Sequence, residues 1–310
     1  MVQLDHPPST QTASEEGLKE RIIHFVRGAS IEITPSDKKR LPNLVALLPP
    51  GTAVYVAHTP NATLDQVVET ALAVQQAKFT ATPHIVARRI NYPHTLRIAL
   101  ARLRAGGVEQ ILLVAGDAQR ASGEFNSTLD ILASGNLDHS GFSSIAVAGH
   151  PEGHRAVGGS LLWEALKSKQ AFAERTGIRL NIVTQFGFNA DAIAEWEREL
   201  VRKEITFPIK VGIAGPTPLS KLIQFAMLCG IGASLRTVMR NLSAVGSFSD
   251  LATTPDQHVM RLMQLPATTR VVAPHFFSFG GALNTARWIK QVAAGAFEID
   301  ATARRFRVEE

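Results

Sequence analysis

Short apolar runs that stop abruptly at one or two residues able to do chemistry recur along this chain, and that recurrence limits the folds open to it. The runs are SIEITP (30–35), VYVAHTPN (54–61), ATPHIVAR (81–88), ILLVAGD (111–117), SIAVAGHPEGH (144–154), RLNIVTQFGFN (179–189) and PIKVGIAG (208–215). Each is short, rich in β-branched residues and bounded by turn residues, the pattern of a buried strand. Helix-like stretches separate them, so the repeating unit is β then α. Barrels of such repeats commonly use about 250 residues as one unit, and one domain over residues 18–310 is therefore expected.

The first 17 residues, MVQLDHPPSTQTASEEG, are polar and read as a mobile tail, with order expected from the amphipathic Leu18–Val26 segment. They hold no apolar run of the signal-peptide kind, and no later stretch is long and apolar enough to span a membrane. A cytoplasmic protein is expected, with no membrane partner. The formal charge of +5, from 32 basic and 27 acidic residues, is modest and dispersed, which disfavours nucleic acid and suits small anionic molecules. The single cysteine, Cys229, cannot form an internal disulfide and reads as core packing in a reducing compartment. A homo-oligomer is compatible with all of this.

Strand by strand, the polar residues fall at the ends. In the first strand, expected over Ala29–Thr34, Glu32 lies between Ile31 and Ile33 and alternation turns it to the opposite face. There it either meets solvent or sits in a cavity that keeps it protonated, and the two readings are equally good. Asp37–Pro42 is expected as a charged loop. A strand VYVAHT leads to His58 at its C-terminal end and to Thr63, a cap for a helix over Leu64–Lys78. His84 sits in the third strand; a lone histidine there is more often structural than catalytic. Gly116 and Asp117 end the fourth strand, where the glycine admits a close ligand and the carboxylate accepts from a heterocycle, or else the pair is a plain turn. After the fifth strand, His150, Glu152 and His154 raise the question of a metal. The irregular loop made by Pro151 and Gly153, and the lack of further ligands, argue instead for wrapping an organic ligand, and no metal is expected. Gln185 ends the sixth strand. Met227, Met239, Met260 and Met263 are expected in the core, and Gly280 with Gly281 either admits a phosphate or leads into a helix.

SIEITP, ILLVAGD, GHPEGH, TQFGFN and VGIAG, in this order and at these separations, resemble the methylenetetrahydrofolate reductases. The likeness runs from about Ser30 to Gly215, and HFFSFGGALNTARWI (275–289) is similar to that family's last strand and helix. It implies a (β/α)8 TIM barrel, an α/β fold, which holds FAD and reduces 5,10-methylenetetrahydrofolate to 5-methyltetrahydrofolate with NAD(P)H. By position, the resemblance makes Glu32 the general acid, Asp117 the residue facing both flavin and pterin, and Gln185 the pterin contact. His58, Gly116, His150, His154 and Lys169 fall to the flavin, with Pro151 and Glu152 in the loop around it. Departures concentrate in the flavin site. Ala115 stands for an arginine, His150 for a tyrosine, Ala165 and Ser168 for polar or basic contacts, AHTPN for a tyrosine and glycine, and Leu219 for an aromatic. A reductase of altered or weak flavin affinity, or one without flavin, is expected. The competing readings are a folate-binding or regulatory paralogue without turnover, and an unrelated barrel lyase or aldolase. The last would call for a Schiff-base lysine or a metal cluster at the strand ends.

Overall fold

The computed structural model describes residues 10–229, 252–266, 268–300 and 305–308. Eight strands close into a barrel: β1 (Ser30–Ile33), β2 (Ala53–Val56), β3 (Thr80–Val86), β4 (Gln110–Val114), β5 (Ser144–Gly149), β6 (Arg179–Thr184), β7 (Ile209–Ala214) and β8 (Val271–Phe277). Neighbours follow chain order, and β1 pairs with β2 on one side and β8 on the other, all parallel. Helices lie between successive strands, which makes the fold a (β/α)8 barrel.

The alternation of each strand sorts its side chains into two environments. Outward residues such as Ile31, Ile33, Val54, Val56, Ile85, Ile111 and Leu113 join Val67, Val68, Leu96 and Leu100 of the surrounding helices in one large buried cluster. Inward residues form a smaller apolar layer of Tyr55, Leu112, Ala146 and Val183. The helix starts carry their own local signals. Thr63 and Gln66 satisfy each other's backbone N–H groups at the start of Leu64–Gln76, with distances of 2.9 and 3.2 Å, and Ser127 and Asp130 repeat the device at Thr128–Ala133.

Several expectations need correction. The first described helix spans Thr10–Arg27, so helix begins well before Leu18; residues 1–9 lie outside the described residues. Lys19 Nζ and Arg27 Nε donate to the carbonyls of Phe297 (2.9 Å) and Ala293 (3.2 Å), tying this helix to the far end of the chain. The charged loop after β1 is a 3-10 helix over Pro35–Arg40. It forms because Asp37 Oδ2 accepts from both the backbone N–H and the hydroxyl of Thr34, at 3.0 and 2.8 Å, and because Pro35 presets the first helical φ. β2 stops at Val56, which leaves His58 in the loop beyond. Met260 and Met263 are core residues, but Met227 is 62% exposed; Met239 and the Cys229 side chain lie outside what is described. Gly281 caps the start of the helix Ala282–Ala293, so the Gly280–Gly281 pair leads into a helix. A C-terminal hairpin that the sequence did not suggest follows, β9 (Phe297–Asp300) with β10 (Arg305–Val308), whose Phe297 and Phe306 rings meet at 4.7 Å.

One glycine decides how β6 and β7 meet. A Cβ on Gly212 would stand 2.4 Å from the Thr184 carbonyl oxygen and 2.8 Å from the Phe186 nitrogen, both backbone atoms. Only glycine allows the end of β6 to cross β7 so closely, with Gly212 N donating to Thr184 Oγ1 at 2.8 Å. Gly212→Ala should therefore cost about 1–3 kcal/mol as an overpacked site, read as a lower urea midpoint at unchanged m-value; an unchanged midpoint would show that the two strands separate freely.

Candidate active site

The inward face of the barrel carries polar groups above its apolar layer. Glu32 points inward, opposite Ile31 and Ile33, with its side chain 19% exposed. Its Oε2 lies 3.4 Å from His84 Nε2 and 3.9 Å from His275 Nε2. Burial raises the Glu32 carboxyl above the ordinary carboxylate range, with His84 pulling the other way. Burial also holds His84 at about 4, against the attraction of Glu32, and His275 at about 3, with Lys210 adding to the effect. Burial thus favours the neutral form of the Glu32 carboxyl, and the two imidazoles facing it are uncharged near neutral pH. Tyr55 sits edge-on to His275 at 4.5 Å, and Lys210 Nζ lies 5.6 Å from the Tyr55 ring centre. Burial lowers the Lys210 amine and pushes the Tyr55 phenol up to about 12.

At the barrel mouth, the loops after β2, β3 and β4 meet. His58 is buried, its Nε2 is 3.1 Å from the Ala62 carbonyl oxygen, and its Nδ1 has no hydrogen-bond partner. Burial, then the nearby Arg89 guanidinium, hold it at about 4. Arg89 donates to the His58 carbonyl at 2.6 Å and is attracted by Asp117. Asp117 is exposed, just past β4. The turn that presents it needs Gly116, whose φ is +92° and whose missing Cβ would lie 2.5 Å from Val86 Cγ1. Arg88 secures the same turn from below, donating to the carbonyls of Gly116 (3.3 Å), Ala118 (3.0 Å) and Asn126 (2.8 Å).

The third group lies across β5 and β6. His150 follows β5 directly and its ring meets His154 at 4.9 Å, nearly perpendicular. Lys169, on the helix Gly159–Thr176, is buried, and burial lowers its amine to about 8. No carboxylate among the described residues pairs with it. Burial, His154 and Lys169 together hold His150 at about 4. Gln185 leaves β6 with its backbone N–H on the Gly149 carbonyl (2.8 Å), while its Oε1 accepts from the next N–H, that of Phe186, at 3.0 Å. Glu152 Oε1 would be 2.9 Å from a Cβ on Gly187, so this loop packs onto the corner after Gln185. Ser168 turns its hydroxyl back to the Glu164 carbonyl at 3.0 Å.

The residues singled out in the sequence thus fall into separate clusters: Glu32 with His84 in the barrel, His58 near Arg89 and Asp117 with Gly116 at one rim, and His150, His154 and Lys169 at another, with Gln185 on the adjoining corner. No hydrogen bond among the described residues joins Asp117 or Gln185 to Glu32. Nor is any group of three or more His, Cys, Asp or Glu among them arranged to hold a metal, and no described helix is long and apolar enough to cross a membrane. His275, Tyr55, Lys210 and Arg89 belong to these clusters without having stood out in the sequence. Lys210 carried the same signal as Glu32, a charged residue at an alternate position in an apolar strand.

In sequence, the model of the methylenetetrahydrofolate reductase family matches residues 40–245. In structure, the chain is similar to a mutant tryptophan synthase α-subunit of Pyrococcus furiosus, at 13% identity over 87% of this chain and 97% of that one, with a TM-score of 0.47. It is also similar to dihydropteroate synthase (FolP) of Thermus thermophilus, at 15% identity over 84% and 89% of the two chains, TM-score 0.42. A third is a deoxyribose-phosphate aldolase of Toxoplasma gondii in its apo form, at 10% identity over 90% and 98%, TM-score 0.44. The sequence match covers about two thirds of the 310 residues, and its bounds take in the loops that carry Asp117, His150 and Gln185: this chain belongs to the methylenetetrahydrofolate reductase family.

Proposed function

We propose that the protein reduces 5,10-methylenetetrahydrofolate to 5-methyltetrahydrofolate, or runs the reverse reaction, with Glu32 as general acid and NAD(P)H as the source of hydride. The observation that carries this reading is the state of Glu32. Opening the five-membered ring needs a proton on the departing nitrogen, and a carboxyl inside the barrel whose pKa burial raises is suited to supply it. Its neighbours His84 and His275 are uncharged, so neither neutralises it by forming an ion pair. Asp117, exposed on its tight turn, would orient the pterin by accepting from its N–H groups. Gln185 would read the pterin edge once its Oε1 releases the Phe186 N–H.

The family implies FAD, and the residues present fit it at one end. Lys169 is a buried amine with no ion pair to a carboxylate among the described residues, which a phosphate would satisfy, and His150 lies close enough to feel both it and His154. Gly116 and Asp117 offer a close backbone approach and an acceptor, and the orphaned His58 Nδ1 offers one more polar contact. When bound, FAD would carry hydride between nicotinamide and folate. The chain's own residues would hold its phosphates, orient the pterin and keep a proton at Glu32.

A second reading is a folate binder with little turnover. Supporting it, Ser168 commits its hydroxyl to its own helix, and Ala115 and Ala165 offer the flavin no polar group. FAD titration of flavin-stripped protein, beside NADH oxidation with methylenetetrahydrofolate and with or without added FAD, separates the two.

Glu32→Gln should leave the fold and folate affinity in place and lower turnover at least about 100-fold; near wild-type turnover would make Glu32 structural. Gln185→Ala should weaken folate by about 1–3 kcal/mol and nicotinamide far less, measured as separate Kd values, and equal losses would point to general damage at the mouth. FAD affinity should depend on pH through Lys169. Its amine is charged below about 8, so FAD Kd should be flat at lower pH and rise above that value, whereas Lys169→Met should bind about 10–100-fold more weakly with that rise removed. Identical Kd profiles for the two proteins would take Lys169 out of the flavin site.

A further inference from the structure

The acid at the centre of the barrel is flanked by two histidines that are held very differently. His84, its side chain 13% exposed, makes no hydrogen bond among the described residues, and its buried Nε2 lies 3.4 Å from Glu32 Oε2 with no hydrogen bond fixing the other side of its ring. His275 is fully buried, fixed on its Nδ1 side by Ser30 Oγ at 2.9 Å and braced by Tyr55 at 4.5 Å and Phe277 at 4.9 Å. Its Nε2 has no hydrogen-bond partner and faces Glu32 Oε2 at 3.9 Å. A buried ring nitrogen left unpaired costs stability, and the Glu32 carboxyl is an acceptor facing it. Turning the Glu32 carboxyl by about 1 Å closes the gap to hydrogen-bond length.

We propose that His275 is a positioning residue for Glu32. The Ser30 hydroxyl donates to Nδ1, which leaves the ring proton on Nε2 and directed at the carboxyl. The inference rests on the assignment of Glu32 as the acid. Its chemical content is that a buried acid must also survive the loss of its proton. Glu32 gives that proton up as the carbon–nitrogen bond of the ring breaks, and the charge then stays in a low-dielectric interior. An N–H already aimed at the oxygen stabilises that charge without a second ion. The imidazole cannot serve by becoming charged, since its pKa lies at about 3; it acts as a neutral donor. The other titratable groups around the pair are Tyr55 on β2, His58 beyond it, His84 on β3 and Lys210 on β7.

The register of the barrel closure sets this arrangement. Ser30 stands opposite His275 and Glu32 opposite Phe277 in the β1–β8 pairing, so one strand supplies both the acid and the hydroxyl that orients its neighbour. Ser278, just past β8, binds the same strand from the other side, donating to the Glu32 carbonyl at 2.6 Å.

The test is the titration of Glu32 in the purified protein by infrared difference spectroscopy. The carboxylic C=O band of Glu32 is identified by its loss in Glu32→Gln. Ser30→Ala and His275→Leu should each move the midpoint of that band upward by about one pH unit, the worth of one hydrogen bond to a charged group. His275→Gln, which keeps an N–H donor, should move it less. Ser30→Ala removes only a hydroxyl and decides the matter if His275→Leu fails to fold. A midpoint unchanged in Ser30→Ala overturns the proposal, as does a Glu32 carboxyl that ionises alike in every variant. Turnover in Glu32→Gln bears only on the acid assignment, so failure of that assignment and failure of this inference are told apart.

Discussion

Closure of the barrel between its first and last strands is the constraint from which the rest of the site follows. β1 has four residues, of which Ser30, Ile31 and Glu32 pair with both neighbouring strands and Ile33 with β2 alone. Ile31 and Ile33 fill the layer between strands and helices with no exposed area, and that burial is the larger energetic contribution, at about 1.5–3 kcal/mol for each side chain. With the isoleucines committed outward, Glu32 has no option but the interior. The cost of placing a carboxyl there is moderated by leaving it protonated. The pKa shift that suits an acid is thus a by-product of how the strand closes the barrel.

The same geometry separates a rigid floor from an adaptable rim. Inside the barrel the Tyr55, Leu112, Ala146 and Val183 layer is packed side chain to side chain, with Tyr55 opposite Glu32 in the β1–β2 register, and His275 is held on several sides. Above it, the contacts are between loops and involve single residues. Arg88 fastens the Gly116–Asn126 turn to the end of β3 through backbone carbonyls, and Arg89 reaches from that end to the loop after β2. This division is the usual one in barrels of this fold, with a packed interior and loops that can differ between relatives. It also accommodates the departures at Ala115, Ala165 and Ser168. These lie on the rim or on a surrounding helix, where a lost polar side chain leaves the barrel core untouched.

Electrostatics at the rim is unevenly shared. Among the described residues Lys169 and His150 lie together without an acidic partner for the lysine, whereas at the neighbouring β3 and β4 loops Arg89 is balanced by Asp117. A buried cation without a counter-ion is costly in an empty protein and favourable for an incoming anion. That asymmetry sets a buried amine beside the β5 loop next to a charge-balanced pair at the neighbouring β4 loop.

Much of this was legible in the order of residues alone. The spacing of short apolar runs determined the β/α repeat, because burial on both faces of a parallel strand demands unbroken apolar sequence. Alternation determined that Glu32 opposes its isoleucine neighbours, and the run of short motifs determined the family. Thr63 with Gln66 marked a helix start by chemistry confined to four residues. What sequence left undecided was whatever depended on partners far along the chain. Whether the face opposite Ile31 meets water or the barrel interior is set by β8, some 245 residues away, and the meeting of Ser30, Glu32 and His275 exists only in that register. Lys210 and Tyr55 read as ordinary strand residues until closure brings them together around His275. Met227 had core chemistry yet faces outward, since hydrophobicity alone does not say which side of a helix has a neighbour. Local patterning determined the elements; only tertiary closure decided which polar groups share one buried space, and pKa depends on that sharing.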